Sequence, residues 1–96
     1  MPSIVRDEAV RSGEARVEGT RITVLDIKRR VIDGDEDPHV VAGEYGLSMA
    51  ALFTALAYYY EHRDGFAERE REYATARADG ERRTRERVRE LSEHVR

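Results

Sequence analysis

Apolar side chains recur at helical spacing in three successive stretches of this chain. Residues at i, i+3 or i+4, and i+7 lie on one face of an α-helix, so each stretch predicts a helix with one buried face. The three stripes are Val24, Ile27 and Val31; Val41 and Tyr45; and Leu52, Leu56 and Tyr59. The second helix is predicted to be short, and the third to continue to about Arg63.

Each predicted helix has its own start and end signals. Ser, Thr or Asp just before a helix accepts a hydrogen bond from a free backbone amide, and glycine commonly follows the last turn. The start signals are Thr23 with Asp26 at capping-box spacing, Asp37 followed by Pro38, and Ser48; the end signals are Gly34, Gly46 and Asp64-Gly65. The short link Gly46-Leu47-Ser48 has the length of the turn in a helix-turn-helix motif.

The residues before the first helix have a strand pattern. Residues 16–23 alternate around a central Gly-Thr, which predicts a strand interrupted by a turn or bulge. Residues 5–10 fit either a short strand or a loosely held arm. Because a single short strand leaves backbone groups unpaired, we expect this β-arm to pair with its equivalent in a dimer.

A charged tail follows the predicted helices. Its helical pattern is expected to be interrupted at Asp79-Gly80, and its narrow apolar stripe is Val88, Leu91 and Val95. So narrow a stripe needs a partner's surface to hold the helix in place. The sequence therefore predicts a mainly α protein. A three-helix helix-turn-helix core with a short N-terminal β-arm occupies residues 1–65, and a charged helical extension for partner contact occupies residues 66–96.

Composition narrows the classes of function. The 96 residues contain no cysteine, so no disulfide supports the small core, and we expect a homodimer or a higher homo-oligomer. No segment has the roughly 20 apolar residues of a membrane span, and no signal peptide is apparent, which favours a cytoplasmic location. The three histidines lack metal-ligand spacing and no nucleophile–base arrangement is visible, so we expect neither enzyme activity nor a metal or cofactor.

Two blocks carry a family resemblance, GTRITV (19–24) and ALAYYYEHR (55–63), with the helix that starts at Asp-Pro between them. Over residues 3–66 the chain resembles the domain of unknown function 433 family. Members resemble homeodomain-type helix-turn-helix proteins, and many are regarded as VapB-like antitoxins encoded beside PIN-domain ribonuclease toxins. The resemblance implies that the protein inhibits such a toxin and represses its own operon by dimeric binding to operator DNA.

Candidate DNA contacts are hydroxyl, cationic and helix-start residues of the core. They are Thr20, Arg21, Lys28, Arg29, Arg30, Ser48, Met49 and Thr54. Alternatives remain for each group: Arg21 can pair with a nearby Glu, and the 28–30 run can form salt links to Asp26 and Asp33. The start of the third helix also lacks the Arg, Asn and Gln that supply most base-edge contacts, which favours a protein-facing surface.

Candidate toxin contacts lie in the tail. They are Arg82, Arg83, Arg85, Arg87, Val88, Arg89, Leu91 and Val95. The ribonucleases that the resemblance implies are understood to hold divalent metal with clustered carboxylates, and a guanidinium can form bidentate hydrogen bonds to such a cluster. One alternative is a solvated helix with internal Glu–Arg pairs. Another, for the whole chain, is a self-assembling structural module that binds no nucleic acid.

Overall fold

The computed structural model describes residues 3–94, which are mainly helical with one small antiparallel sheet, as the sequence predicts. The chain divides into two compact units between Arg63 and Asp64. In order, the elements are β1 (Ile4–Val5), a 3₁₀ turn (Arg11–Gly13), β2 (Arg16–Val17), α1 (Val24–Lys28) with a π-helical continuation (Arg29–Asp33), α2 (Pro38–Tyr45), α3 (Met49–Glu61) and α4 (Arg63–His94).

The β-arm finds its strand partner within the same chain. Ile4 of β1 lies opposite Val17 of β2, and Val5 lies opposite Arg16, in antiparallel register. On the other side of β2, Arg16 forms a further antiparallel bridge with Thr23. The expectation that the arm pairs across a dimer assumed a single strand, and this assumption is wrong because the chain folds back between β1 and β2.

A tight turn follows β2, at the Gly-Thr that the sequence pattern indicates. The Val17 amide donates to the Ile22 carbonyl (2.9 Å), and the Thr20 amide donates to the Val17 carbonyl (3.1 Å). Gly19 has a φ of 79°, a left-handed conformation that glycine adopts without steric cost. The prediction of a strand interrupted by a turn is therefore confirmed.

Helix α1 begins with the predicted capping box. The Asp26 amide donates to Thr23 Oγ1 (3.0 Å), and the Thr23 amide donates to Asp26 Oδ2 (3.0 Å). Arg11 reaches the same carboxylate from the preceding turn, with Nη1 3.1 Å from Oδ2. Arg11 and Ser12 have φ values of 51° and 56°, and such left-handed backbone costs about 1–2 kcal/mol per non-glycine residue. The bonds to Asp26 help to offset that cost.

The first helix ends at Gly34, as predicted, although its last turn is π-helical. The Gly34 amide donates to the Arg29 carbonyl (2.9 Å), five residues back. A Cβ at residue 34 would lie 2.9 Å from the Arg30 carbonyl oxygen, so only glycine fits this position without a backbone shift.

Helices α2 and α3 begin at their predicted signals and form a sharply bent pair. Helix α2 ends at Gly46 as predicted, whereas α3 ends at Glu61, before the predicted end near Arg63. Asp37 caps α2 by accepting from the His39 amide (2.8 Å), and Ser48 caps α3 by accepting from the Ala51 amide (3.0 Å). Between them Gly46 adopts a φ of 68°, and the Leu47 amide donates to the Ala42 carbonyl (2.9 Å). The chain changes direction by 111° at this turn.

The core of the first unit is built mainly from α1 and α3, with α2 packed against α3. The largest fully buried side chains are Ile27, Leu52, Val24 and Val41. All four belong to the predicted stripes, so the helical periodicity identified the faces correctly.

Helix α4 is continuous, which contradicts two predicted breaks. The chain leaves α3 at His62 (φ −127°, ψ 32°), and α4 then runs from Arg63 to His94 through both Gly65 and Gly80. A glycine in a helix interior costs only about 0.5–1 kcal/mol relative to alanine. The neighbouring Ala, Glu and Arg residues favour helix strongly enough to offset this. Asp64-Gly65 and Asp79-Gly80 therefore do not end the helix.

We predict that Asp26→Ala destabilises the first unit by about 1–2 kcal/mol at neutral pH, because it removes the capping box. Burial acts to raise the pKa of Asp26, but the Thr23 amide and the Arg11 guanidinium outweigh it and hold that pKa below its ordinary value of 3.8. The stabilising carboxylate is thus present above that value and is lost as pH falls through the lower folded-state pKa.

The measurement is urea unfolding of both proteins between about pH 7 and pH 2. The difference in unfolding free energy should be largest at neutral pH and shrink in acid. Glu18→Ala is the control, since the Glu18 side chain is exposed and has no partner among residues 3–94. A difference that is constant across this range would contradict the role of the charge.

Candidate functional site

The hairpin turn presents one free guanidinium. The Thr20 hydroxyl donates to the Val17 carbonyl (2.8 Å) and accepts from the Ile22 amide (3.0 Å), so it holds the turn together. Arg21 is exposed, and its guanidinium has no hydrogen-bond or ion-pair partner within residues 3–94. The alternative in which Arg21 pairs with a nearby glutamate is not what the structure has. Arg21 is available to an anion, whereas the Thr20 hydroxyl is engaged.

Lys28 is the first of the basic run and lies inside the first unit. Its side chain is 10% exposed, and Nζ donates to Asp33 Oδ2 (2.8 Å). The same ammonium lies 5.6 Å from the centre of the Tyr59 ring. The prediction that Lys28 grips the DNA backbone is therefore wrong, because a buried ammonium held by a carboxylate and an aromatic ring does not face solvent.

Arg30 links the end of the first helix to α2. Its Nε and Nη2 donate to the two carboxylate oxygens of Glu36 (2.9 and 2.7 Å), and Nη2 also contacts Glu44. Hydrogen bonds to Glu36 raise the pKa of Arg30 most, and those to Glu44 and Tyr45 raise it further. The hydrogen bonds from Arg30 lower the pKa of Glu36. Arg29, by contrast, is exposed and without a partner in the described part of the chain.

The α3 candidates serve the helix backbone. Ser48 is the N-cap, and the Thr54 hydroxyl donates to the Ala50 carbonyl (2.7 Å). Met49 is half-buried. On the side of α3 away from the core, the exposed residues are Ala50, Phe53, Ala57 and Tyr60. This row was not predicted, although its i, i+3, i+7, i+10 spacing is present in the sequence. A protein-facing helix, the stated alternative, has such a surface.

The last third of α4 carries an apolar stripe with arginines on both flanks. At 100° per residue, Thr84, Val88 and Leu91 share one side of the helix, and Val88 and Leu91 are 56% and 52% exposed. Arg82 bonds Asp79 (3.0 Å). No partner exists within residues 3–94 for Arg85 and Arg89 on one flank or for Arg83 and Arg87 on the other. Val95, the last predicted stripe residue, lies outside the described residues.

Glutamates occupy the opposite side of α4, at Glu86, Glu90 and Glu93. The alternative of a helix saturated with internal ion pairs is thus realised only in part, at pairs such as Arg71–Glu68 and Arg82–Asp79.

Within residues 3–94 the structure contains neither a cluster of metal-ligating side chains nor a single helix suited to cross a membrane. No group of three or more His, Cys, Asp and Glu side chains in this range is arranged to hold a metal ion. No single helix there is long and apolar enough to cross a membrane; only α2 and α3 taken together reach that length and composition, and they bend by 111°.

These observations define a small, mainly α module with a two-stranded sheet, followed in the chain by one long polar helix. The chain belongs to the family described as a protein of unknown function (DUF433), whose model matches residues 4–59. The match extends from β1 through most of α3 and ends before α4. Neither a curated protein nor a solved structure matches the chain.

Proposed function

We propose that this is an antitoxin-like protein of the cytoplasm. It inhibits a PIN-type ribonuclease through α4, and its first unit acts as a homodimer that binds operator DNA and represses the operon. The observation that carries the toxin half is the exposed apolar stripe of α4 between two rows of unpaired arginines.

The stripe is suited to a groove on another protein. Every residue from Glu81 to Glu93 is exposed, so the segment gains no stability from packing within the described chain. An amphipathic helix binds a groove through apolar anchors at i, i+3 and i+7, and Val88 and Leu91 are such anchors. Apolar side chains exposed side by side commonly mark a protein-binding site.

The arginines favour an acidic partner. A guanidinium makes bidentate, charge-assisted hydrogen bonds to carboxylates, which are stronger than neutral hydrogen bonds. The family resemblance points to a ribonuclease whose catalytic centre is a cluster of carboxylates that holds divalent metal. Arginines inserted into that cluster would take the place of the metal and inhibit the enzyme.

The DNA half is a second function, supported by the geometry of α2 and α3. A helix-turn-helix motif has helices at about 90–120° joined by a turn of three or four residues. This pair turns by 111° at Gly46-Leu47-Ser48. With Lys28 buried and Arg30 held by Glu36 and Glu44, the candidate phosphate contacts are reduced to Arg21 and Arg29.

We predict that replacing the four flanking arginines of α4 with glutamine weakens binding to the proposed PIN-type ribonuclease partner by at least about a hundredfold. Charge-assisted bonds contribute about 1.5–3 kcal/mol each, so the loss of two is sufficient. The variant combines Arg83→Gln, Arg85→Gln, Arg87→Gln and Arg89→Gln. Isothermal titration calorimetry measures the affinity, and a nuclease assay measures the inhibition.

The matched control neutralises the other side of the same segment. It combines Glu86→Gln, Glu90→Gln and Glu93→Gln. We expect the control to bind as tightly as the unmodified protein or more tightly, because it leaves every arginine in place. Equal losses in both variants would show that α4 does not bind through its arginine-flanked side.

For DNA, we predict a salt-dependent affinity for the segment upstream of the gene. Each phosphate contact contributes about 0.9 to the slope of log affinity against log salt concentration. Arg21→Ala and Arg29→Ala should each lower that slope by about this amount, measured by fluorescence anisotropy at several salt concentrations. Lys28→Met should leave the slope unchanged, since Lys28 is buried. A complete absence of salt-dependent binding would favour the self-assembling module that binds no nucleic acid.

A further inference from the structure

Helix α3 exposes a row of alternating small and large apolar side chains. Ala50, Phe53, Ala57 and Tyr60 are spaced 3, 4 and 3 residues apart, which is the spacing of a coiled-coil seam. Phe53 is 53% exposed and Tyr60 is 57% exposed. This row faces away from buried Leu52, so the packing of the first unit does not account for it.

Charge favours a second copy of this chain as the occupant of the row. Residues 46–60 contain no charged side chain, and the Thr54 hydroxyl is bonded to the Ala50 carbonyl. Residues 1–60 as a whole contain seven basic and ten acidic residues, a net charge of 7 − 10 = −3. Two copies repel each other over much of this unit, and the neutral row allows close approach.

The order of the side chains selects one register. We propose that α3 pairs antiparallel with α3 of a second copy, with the twofold axis at the level of residue 55. Positions 53 and 57, and positions 50 and 60, are symmetric about residue 55. Phe53 then packs on the partner's Ala57, and Tyr60 packs on the partner's Ala50. A twofold contact makes each of these pairs twice.

The parallel arrangement lacks this complementarity. It places Phe53 beside its own equivalent and Ala57 beside its own equivalent, so that crowded layers alternate with empty ones. Both overpacked and empty layers are unfavourable in a close-packed interface. The antiparallel register places a large side chain opposite a small one in every layer.

The size of the row predicts a weak dimer. Burial of the half-exposed Phe53 and Tyr60 removes roughly 200 Å² of surface per copy from solvent, compared with about 800 Å² per partner in a standard interface. We therefore expect a monomer–dimer equilibrium that depends on concentration. The inference rests on the homodimer in the proposed function. It also changes how the first unit would bind DNA: an α3 buried between two copies cannot enter a DNA groove, so contact would be left to Arg21 and Arg29.

The test exchanges the sizes of two facing side chains in the full chain. Phe53→Ala leaves a gap opposite the partner's Ala57, and Ala57→Phe places two phenylalanines together. Each single substitution should weaken the dimer at least tenfold by sedimentation equilibrium. The double variant restores one large and one small side chain to every pair, so its dimerisation constant should return to within about threefold of the original. Val40→Ala is the control, because Val40 is 52% exposed outside the row and should have no effect.

Non-specific stickiness gives the opposite result. It would make Ala57→Phe associate more tightly, and that outcome would overturn the proposal, as would a monomeric original protein or a folded double variant that remains monomeric.

The chain has no cysteine, so Phe53→Cys with Ala57→Cys supplies a second measurement if a variant fails to fold. Mild oxidation should join two copies through this pair, and failure to do so would contradict the register. Ribonuclease binding by α4 is measured on the same variants and should persist, which separates failure of this inference from failure of the proposed function.

Discussion

The Asp26 carboxylate is the contact on which the first unit depends. It accepts hydrogen bonds from the Thr23 amide and the Arg11 guanidinium. These bonds join the start of α1 to the turn that precedes β2. The start of α1 determines which of its side chains face α3, and the buried Val24 and Ile27 follow directly from it. The same junction positions the hairpin turn, because Arg11 also donates to the Arg21 carbonyl (3.0 Å). A single local motif thus connects the β-arm, the hairpin and the helical core.

Three cations of the first unit differ in their surroundings from the arginines beside the apolar stripe of α4. In the first unit, Arg11, Lys28 and Arg30 are held by carboxylates of the same unit, so these charges serve its internal structure. In the last third of α4, the arginines beside the apolar stripe have no partner within residues 3–94. Cations that have partners stabilise a fold, whereas free cations beside exposed apolar side chains are suited to binding. This difference is the physical basis for the proposal that α4 recognises a partner.

Short-range signals were predictable from the sequence, and long-range contacts were not. The Thr23–Asp26 box and the Gly46 turn depend on residues within a few positions of one another, and both were identified. The burial of Lys28 depends on Asp33 and on Tyr59, which is distant in sequence and comes close only when α1 packs on α3. The pairing of β1 with β2 requires the chain to reverse over residues 6–15, which no local pattern specifies. The continuity of α4 at Gly65 and Gly80 depends on a small difference between the free-energy cost of glycine in a helix and the helix propensity of its neighbours. The presence of a glycine in the sequence does not show which of the two is larger.

The exposed side of α3 limits what this helix can recognise. Base edges are read mainly by Arg, Lys, Asn and Gln, and none of these lies between Met49 and Tyr60. The hydroxyl of Thr54 is bonded to the helix backbone, so it is poorly placed to read a base. The alternating alanines and aromatic rings on this side of α3 are instead complementary to the same row of a second copy in antiparallel orientation, as proposed above. If α3 is occupied in this way, the proposed DNA contact shifts to groups outside it. Among the cationic candidates, Arg21 on the hairpin turn and Arg29 after α1 have no partner within residues 3–94. The bent helix pair would then act as a dimerisation element, with the β-hairpin as the part of the core that meets phosphate.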